Sequence, residues 1–272
     1  DTQGYSEHHP EIFLHQTKWI ANHKEELNIK LVVHLGDVVE DPANRQEWER
    51  ASRAIKWLDR NKIPTLLAFG NHDYTSLADG RVSNLFNDYF PLSRYRRSEY
   101  FGGTYNRRSA DNIFFTFEIE GRKYLFLTVE YRPREKVLGW AKRVLSTHSE
   151  HQVAVISHSY MYPTGLLTES GWKVWNRLGR KHPNVEMILC GHVPASDVDV
   201  RYGEEGNKVT QMLSNYQYYS NGGNGFLRIL TFYPREGKVK VQTYSPYLDS
   251  YKETSRDKFT FWLEEKEKVS VE

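Results

Sequence analysis

The order of apolar and polar residues along the chain predicts strands and helices that alternate over most of its length. Short apolar runs predict strands, and longer segments with apolar residues every three or four positions predict helices. The predicted strands are Lys30–Leu35, Thr65–Phe69, Asn112–Ile119, Lys123–Val129, Val153–Ser157, Val185–Cys190, Val209–Leu213, Phe226–Phe232 and Lys238–Tyr244. The predicted helices are Pro10–Leu27, Glu47–Asn61, Arg134–Leu145 and Glu169–His182. This pattern predicts a layered α/β fold with parallel and antiparallel strands and helices on the outer faces.

Four of the predicted strands are followed by polar side chains that bind metal ions in proteins. These side chains are Asp37, Asn71, His158 and His192. Ligands bind at the carboxyl ends of strands in open α/β sheets. Each residue alone has a more ordinary explanation, as part of a turn or as a packed histidine. Because all four occupy equivalent strand ends, we expect one shared metal site there.

The side chains of this predicted site offer a carboxylate, an amide oxygen and two imidazoles. That mixture suits manganese, iron or zinc better than calcium, which prefers an all-oxygen shell. A divalent ion would polarise a phosphoryl oxygen and activate water for hydrolysis. His72 follows Asn71 directly, and we expect it to stabilise the transition state or protonate the leaving group. Asp73 is the candidate to orient the His72 ring.

Composition narrows the class of protein. The chain has 272 residues, of which 39% are hydrophobic and 26% charged, with a net charge of +2. This balance indicates a globular chain and gives no electrostatic reason to expect a nucleic-acid or membrane partner. Cys190 is the single cysteine, which excludes an intrachain disulfide. No segment approaches the roughly 20 apolar residues of a membrane span. The sequence does not predict an oligomeric state.

Five blocks in this order resemble the motifs of the calcineurin-like metallophosphoesterase superfamily. They are Asp1-Thr2-Gln3, Gly36-Asp37-Val38-Val39-Glu40, Gly70-Asn71-His72-Asp73, Ser157-His158 and Gly191-His192-Val193-Pro194. The first block is similar to that of a bacterial subgroup. The resemblance implies a four-layer α/β sandwich, of the α+β type, in which two mixed β-sheets are flanked by helices. It also implies one metallophosphoesterase domain over residues 1–272, and it favours a secreted or periplasmic location.

The resemblance further implies a set of metal ligands. Asp37 would bridge two divalent ions, and Asn71, His158 and His192 would complete the shell of one of them. His72 would assist catalysis.

The second ion has fewer of the ligands that the family provides. The resemblance assigns it to Asp1, Gln3 and Asp37, but Gln3 and Pro194 stand where the family has histidines. An oxygen-rich shell of this kind would favour manganese or magnesium over zinc, so we expect one or two ions per chain. In the family a buried strand precedes the first aspartate. We therefore expect that strand to be missing from the sequence as given.

Two loops rich in aromatic and basic residues are candidates for substrate binding. Arg97 and Tyr105 lie in the first loop, and Tyr216 and Asn224 lie in the second. Aromatic and guanidinium groups suit a sugar, a nucleotide or the leaving group of a phosphodiester. A solvated face packed by amphipathic side chains explains the same residues equally well.

Hydrolysis of phosphate mono- or diesters, as by a phosphatase or phosphodiesterase, is the leading functional hypothesis. The alternative is a binding or scaffold protein that keeps the fold but has a degenerate metal site and little catalysis. A metal-dependent nuclease is disfavoured because the chain lacks a strongly basic surface.

Overall fold

The helices and strands of the structure follow the predicted alternation through most of the chain. The structure is a computed structural model that describes residues 1–77, 81 and 84–263. The helices are α1 (Gln3–Glu7), α2 (Pro10–Asn22), α3 (Arg45–Arg60), α4 (Asn84–Tyr89), α5 (Leu92–Arg96), α6 (Glu135–Thr147) and α7 (Glu169–Val174), with short helical turns at Trp175–Gly179, Ser220–Gly223 and Pro234–Glu236. The strands are β1 (Val32–His34), β2 (Thr65–Leu67), β3 (Phe101–Thr104), β4 (Ile113–Ile119), β5 (Arg122–Val129), β6 (Gln152–Ser157), β7 (Val185–Cys190), β8 (Ser196–Tyr202), β9 (Lys208–Ser214), β10 (Leu227–Tyr233), β11 (Lys238–Ser245), β12 (Ser250–Lys252) and β13 (Lys258–Trp262).

The largest sheet has seven strands in the order β3-β4-β5-β6-β7-β9-β8. Strands β5, β6, β7 and β9 run parallel to one another, whereas β3, β4 and β8 pair antiparallel with their neighbours. Because parallel neighbours end at the same edge of a sheet, the residues that follow β5, β6 and β7 meet there. This mixed sheet and its flanking helices confirm the predicted α/β fold class.

Two smaller sheets complete the strand pairing. β1 and β2 form a parallel pair, while β10, β11, β12 and β13 form an antiparallel sheet in which β11 is paired on both sides. An apolar groove of about 700 Å³ is lined by residues of β1, such as Val33, and of β10, such as Leu230.

Apolar clusters on both faces of the large sheet explain the order of the layers. On one face, Phe115 packs in a cluster with Leu66 of β2 and Val241 of β11. On the opposite face, Val155 packs in a cluster with Leu138 of α6. Large aliphatic and aromatic side chains of this kind each contribute about 1.5–3 kcal/mol when they are fully buried. The large sheet is therefore covered by helices on one side and by the smaller sheets on the other.

The outermost layer is formed by α2 and α3. Val32 of β1 packs in a cluster with Ala21 of α2 and Leu58 of α3, whereas Val33 faces the cluster shared with the large sheet. Successive side chains of a strand point to opposite faces, so β1 contacts both layers at once. Within the described ranges, no helix is long and apolar enough to cross a membrane.

The capping of α3 fixes the loop that precedes it. The Asn44 side chain accepts a hydrogen bond from the Gln46 amide, and it donates one to the Glu47 carboxylate. N-terminal caps of this type contribute about 1 kcal/mol. The other oxygen of Glu47 accepts from the backbone amides of Glu40 and Asp41, at 2.7 and 3.0 Å. Glu47 thereby holds Glu40, which lies beside the candidate site.

Two predicted helices differ from the observed ones at their ends. The helix predicted over Pro10–Leu27 is wrong in its last part, because α2 ends at Asn22 and turns follow it. Leu27 is 44% exposed, so no apolar contact extends the helix to it. The helix predicted over Glu169–His182 widens into a π-helical turn after Val174 and ends at Gly179.

The sequence pattern missed several short or peripheral elements. They are α1, α4, α5, β3, β8, β12 and β13. In β8 (SDVDVRY) charged residues alternate with apolar ones, and the strand lies at the edge of the sheet, where charged residues are common. Such a pattern gives only a weak strand signal.

Candidate metal centre

Three of the predicted ligands converge at the shared edge of the sheets. One ligand atom from each of Asp37, His158 and His192 lies within 4.8 Å of the others. Asp37 and His158 are buried, and His192 is partly exposed. Asp37 follows β1, whereas His158 and His192 follow the neighbouring strands β6 and β7. The cluster therefore joins the small parallel sheet to the large one.

The orientation of the His158 ring leaves one nitrogen directed into the cluster. Its Nδ1 atom donates to the carbonyl of Leu35 at 2.8 Å. Its Nε2 atom lies 3.1 Å from Oδ2 of Asp37 and 3.2 Å from Oδ1 of Asn71. With the Nδ1 proton donated to Leu35, the Nε2 atom of a neutral His158 offers its lone pair beside two oxygen atoms, an arrangement that a shared cation would stabilise.

The spacing of these atoms fits a transition-metal shell. Adjacent ligands bound at about 2.1 Å to one ion are roughly 3.0–3.4 Å apart in octahedral or tetrahedral geometry. The distances from His158 Nε2 to Asp37 and Asn71 lie in this range. The donor set of nitrogen and oxygen also suits manganese, iron or zinc. The residues present therefore fit a divalent ion.

Asp1 and Gln3 lie at the same cluster. Oδ1 of Asp1 accepts a hydrogen bond from the His192 amide at 2.9 Å, and the Gln3 side-chain nitrogen lies 3.5 Å from Oδ2 of Asp37. The remaining oxygens, Oδ2 of Asp1 and Oε1 of Gln3, are buried without a hydrogen-bond partner among the described residues. A buried acceptor left unpaired costs about 1–3 kcal/mol. Both oxygens are thus available to a cation.

Glycines allow the loops of the cluster to approach this closely. A Cβ atom on Gly70 would overlap the Asp37 carboxylate and backbone. A Cβ atom on Gly191 would overlap the carboxylate of Asp1. Any larger residue at either position would therefore displace a predicted ligand.

Burial and charge set the protonation of the ligands. Burial and the neighbouring His158 lower the pKa of His192 to about 4, so its ring is neutral near pH 7. Burial opposes ionisation of Asp37, but His158 and the backbone amide of His72 lower the pKa of its carboxyl well below the ordinary value. A carboxylate and a neutral imidazole are the forms that bind metals.

His72 lies next to the cluster and is held by Glu40. Its Nδ1 atom donates to the Glu40 carbonyl at 2.7 Å, and the Glu40 carboxylate lies 3.5 Å from the same atom. The His72 amide donates to Oδ1 of Asp37 at 2.9 Å. Burial opposes protonation of the ring, but the Glu40 carbonyl and the nearby carboxylates outweigh it and raise the pKa of His72.

Asp73 contacts backbone amides, and its hydrogen bonds do not include the His72 ring. Its carboxylate accepts from the amides of Gly70, Asp37 and Val38, at 2.8, 3.0 and 2.8 Å. Burial and the nearby Asp37 raise the pKa of Asp73 to about 6, although the amides favour its ionised form. These contacts join the loops after β1 and β2. The predicted orientation of His72 by Asp73 stays a prediction, while Glu40 makes the contacts expected of that role.

Two further residues near the cluster, Tyr131 and His34, were not predicted from the sequence as part of the site. The Tyr131 ring centroid lies 5.9 Å from that of His158 and 5.7 Å from that of His192. His34 forms a hydrogen bond with the Thr2 hydroxyl, at 2.9 Å, beside Asp1. The signal that could have identified Tyr131 is its place just after β5, which runs parallel to β6.

The residues predicted to bind substrate make contacts elsewhere. Arg97 is exposed at the end of α5, and the Tyr105 ring packs against Trp140. The Tyr216 hydroxyl bonds that of Thr243, and the Asn224 side chain accepts from Asn221. The loop that carries Tyr216 and Asn224 packs against α1 through Gly222 and Tyr5. Their roles in substrate binding stay predictions.

Comparison with known proteins agrees with this geometry. Residues 2–196 match the family model of the calcineurin-like phosphoesterases. The chain belongs to the calcineurin-like phosphoesterase family, which confirms the predicted class of metallophosphoesterase. The family implies divalent metal ions and a phosphate-ester substrate.

Two proteins of similar sequence and one solved structure were compared with this chain. The chain is 33% identical over 286 aligned positions to a Bacillus subtilis protein described as uncharacterized protein YvnB, covering 99% of this chain and 22% of that protein. It is 26% identical to a probable cyclic nucleotide phosphodiesterase of Moraxella catarrhalis, covering 61% of this chain and 59% of the relative. The structure of purple acid phosphatase PPD1 from yellow lupin has the same fold, with a TM-score of 0.61 and 15% identity over 92% of this chain and 49% of the phosphatase. The chain thus spans less than two thirds of the length of each of these proteins.

Proposed function

We propose that this chain hydrolyses phosphate esters with divalent metal ions held by Asp37, Asn71, His158 and His192. The observation that carries the proposal is the His158 Nε2 atom, which faces two oxygen atoms within 3.2 Å while its Nδ1 proton is taken by Leu35. Manganese, iron and zinc suit this donor set. When bound, such an ion polarises a phosphoryl oxygen and lowers the pKa of water.

We propose that Asp1 and Gln3 provide for a second, more weakly held ion. Their free buried oxygens support this role, as does the proximity of Gln3 to Asp37. This shell would be rich in oxygen, which favours manganese or magnesium.

The protein's own groups then act on the substrate around the ions. The Glu40 carbonyl fixes the His72 ring by its Nδ1 proton, so Nε2 is the atom that donates a proton to the leaving oxygen. Asp73 keeps the loops after β1 and β2 together by its three hydrogen bonds to backbone amides. The orientation of Asp37 and Asn71 depends on those loops.

The proposal is tested by turnover of aryl phosphates with the folded protein. We expect hydrolysis of 4-nitrophenyl phosphate or bis(4-nitrophenyl) phosphate with added Mn²⁺, and loss of hydrolysis with a chelator. Absence of turnover with Mn²⁺, Fe²⁺, Zn²⁺ and Mg²⁺, by protein shown to be folded, would refute it. The alternative, a scaffold protein with a degenerate site, predicts that result together with no bound metal.

A further inference from the structure

The segment after β5 forms a rigid corner beside the metal cluster. Glu130 is fully buried and accepts hydrogen bonds from Asn112 and from the backbone amide of Arg134. Tyr131 follows it and places its ring against His158 and His192. The corner is therefore built from buried polar contacts, unlike a solvated surface loop.

Arg132, the next residue, has a backbone conformation that residues other than glycine seldom adopt. Its φ is 46°, in the left-handed region. Such a conformation costs about 1 kcal/mol or more and persists where the surroundings impose it. Here Arg81 imposes it, because its guanidinium donates to the carbonyls of Tyr131 and Arg132.

Three arginines meet at this corner, and two of them are bound to the protein. Arg134 forms hydrogen bonds to both oxygens of Glu130, at 2.7 and 2.9 Å. Arg81 bonds the two carbonyls and lies 3.8 Å from Glu130. Arg132 is exposed, and it makes no ion pair with any residue in the part of the chain that the structure describes. Among the described residues, its guanidinium contacts the Tyr131 ring and no carboxylate, which leaves its charge available to an anionic ligand.

The Arg132 guanidinium is connected to the predicted metal ligands through the Tyr131 ring. It is 5.4 Å from the centroid of the Tyr131 ring, which itself lies 5.7 Å from the ring of His192. An anion held at the cluster would lie within reach of this side chain.

We propose that Arg132 binds an unesterified oxygen of the substrate phosphate and thereby favours phosphomonoesters over diesters. This inference rests on the proposed function. A guanidinium binds two oxygens of one phosphate through paired hydrogen bonds. A monoester dianion offers three unesterified oxygens, so it engages both the metal ions and Arg132. A diester offers two and carries one charge fewer.

Because the backbone of Arg132 is left-handed, its side chain can be removed without straining the backbone. Arg132→Gly removes the guanidinium but keeps the backbone conformation, since glycine adopts positive φ readily. Lys62 supplies the matched control, because it is also an exposed cation with positive φ, 53°, and it lies at the end of α3. Lys62→Gly should leave every measured value within about twofold of the wild type. Arg132→Lys should recover part of the loss.

Binding and turnover are measured separately. With Mn²⁺-loaded protein, calorimetric titration with inorganic phosphate should show a dissociation constant raised about tenfold to hundredfold in Arg132→Gly, the range expected for a hydrogen bond between charged groups. KM for 4-nitrophenyl phosphate should rise to a similar extent, with KM for bis(4-nitrophenyl) phosphate changed less than threefold. Metal content should not change.

The phosphate titrations and the two KM values can each contradict the proposed role of Arg132. Phosphate binding by Arg132→Gly equal to that of the wild type would overturn it, as would wild-type protein that binds no phosphate. An equal rise in both KM values would overturn the preference for monoesters. If the wild type binds phosphate, Arg132→Gly does not, and neither hydrolyses an ester, then the proposed function fails while the role of Arg132 in binding stands.

Discussion

The Nε2 atom of His158 lies 3.1 Å from Oδ2 of Asp37, although the two residues are 121 positions apart in the sequence. The ring is fixed by the hydrogen bond from its Nδ1 atom to the Leu35 carbonyl, two residues before Asp37. One loop thus supplies a proposed ligand, Asp37, and also orients a second proposed ligand, His158, from a different sheet. Loss of either side chain should therefore affect metal binding before it affects the fold.

Replacement of His158 tests the first metal site. We expect His158→Ala to lower the affinity for Mn²⁺ by at least about tenfold, since even the loss of a residue that only supports a ligand has an effect of that size. Metal analysis of the purified protein by mass spectrometry checks this. His8→Ala is the control because the His8 side chain is 68% exposed and was assigned no ligand role. Equal metal content in the two variants would contradict the assignment.

Replacement of His72 separates proton transfer from metal binding. His72→Ala should lower kcat by about 10²–10⁴-fold, the usual contribution of a general acid or base, with no change in metal content. Glu40→Gln should have a smaller effect, because the Glu40 backbone carbonyl still fixes the ring. Steady-state kinetics on an aryl phosphate measures both. A His72→Ala enzyme with unchanged kcat would exclude His72 from the reaction.

Replacement of Gly191 tests the position of Asp1. A methyl group at Gly191 would displace the Asp1 carboxylate, so Gly191→Ala should bind fewer ions per chain than the wild type while the site at His158 stays filled. Gly139→Ala in α6 is the matched control, because its nearest neighbour, the Arg143 side chain, is 4.0 Å from the added carbon. The number of bound Mn²⁺ ions, measured by titration, distinguishes the two. An identical count in both variants would remove Asp1 from the ligand set.

Replacement of Asp73 tests its place between the loops. Asp73→Ala would leave three backbone amides without their acceptor, and we expect it to destabilise the protein by about 3 kcal/mol or more, at about 1–3 kcal/mol for each unpaired group. Thermal unfolding followed by calorimetry gives the change. Asp88→Ala, at an exposed position of α4, should unfold within about 0.5 kcal/mol of the wild type. A similar Tm for the two variants would contradict the structural role.

Cys190 provides a test of the core near the site. Its side chain is fully buried, and burial raises the pKa of its thiol to about 12. Because the thiolate is the reactive form, a raised pKa leaves almost none of it at pH 8. We expect no reaction with Ellman's reagent at pH 8 in the native protein, and reaction of one thiol per chain after unfolding in guanidinium. Rapid labelling of the native protein would show that β7 is more accessible than the structure indicates.

Much of the fold could be predicted because local patterns and tertiary contacts agree in the central strands. Runs such as Val153–Ser157 are buried on both faces, and β6 occupies nearly the same residues in the structure. The edge strand β8 could not be predicted, since Asp197, Asp199 and Arg201 interrupt its apolar residues and weaken the apolar pattern. The end of α2 could not be read from the apolar pattern, because Leu27, which continues that pattern, is 44% exposed in the structure.

The sequence by itself determined the family and which side chains are proposed as ligands, because each of Asp37, Asn71, His158 and His192 stands in a short motif at a strand end. Only the tertiary structure decided which side chains support them. The hydrogen bonds from Asp73 to three amides, from Glu40 to His72 and from Arg81 to the corner at Arg132 join residues from different loops. No local pattern encodes such contacts, since they depend on how β1, β2 and β5 are placed relative to one another.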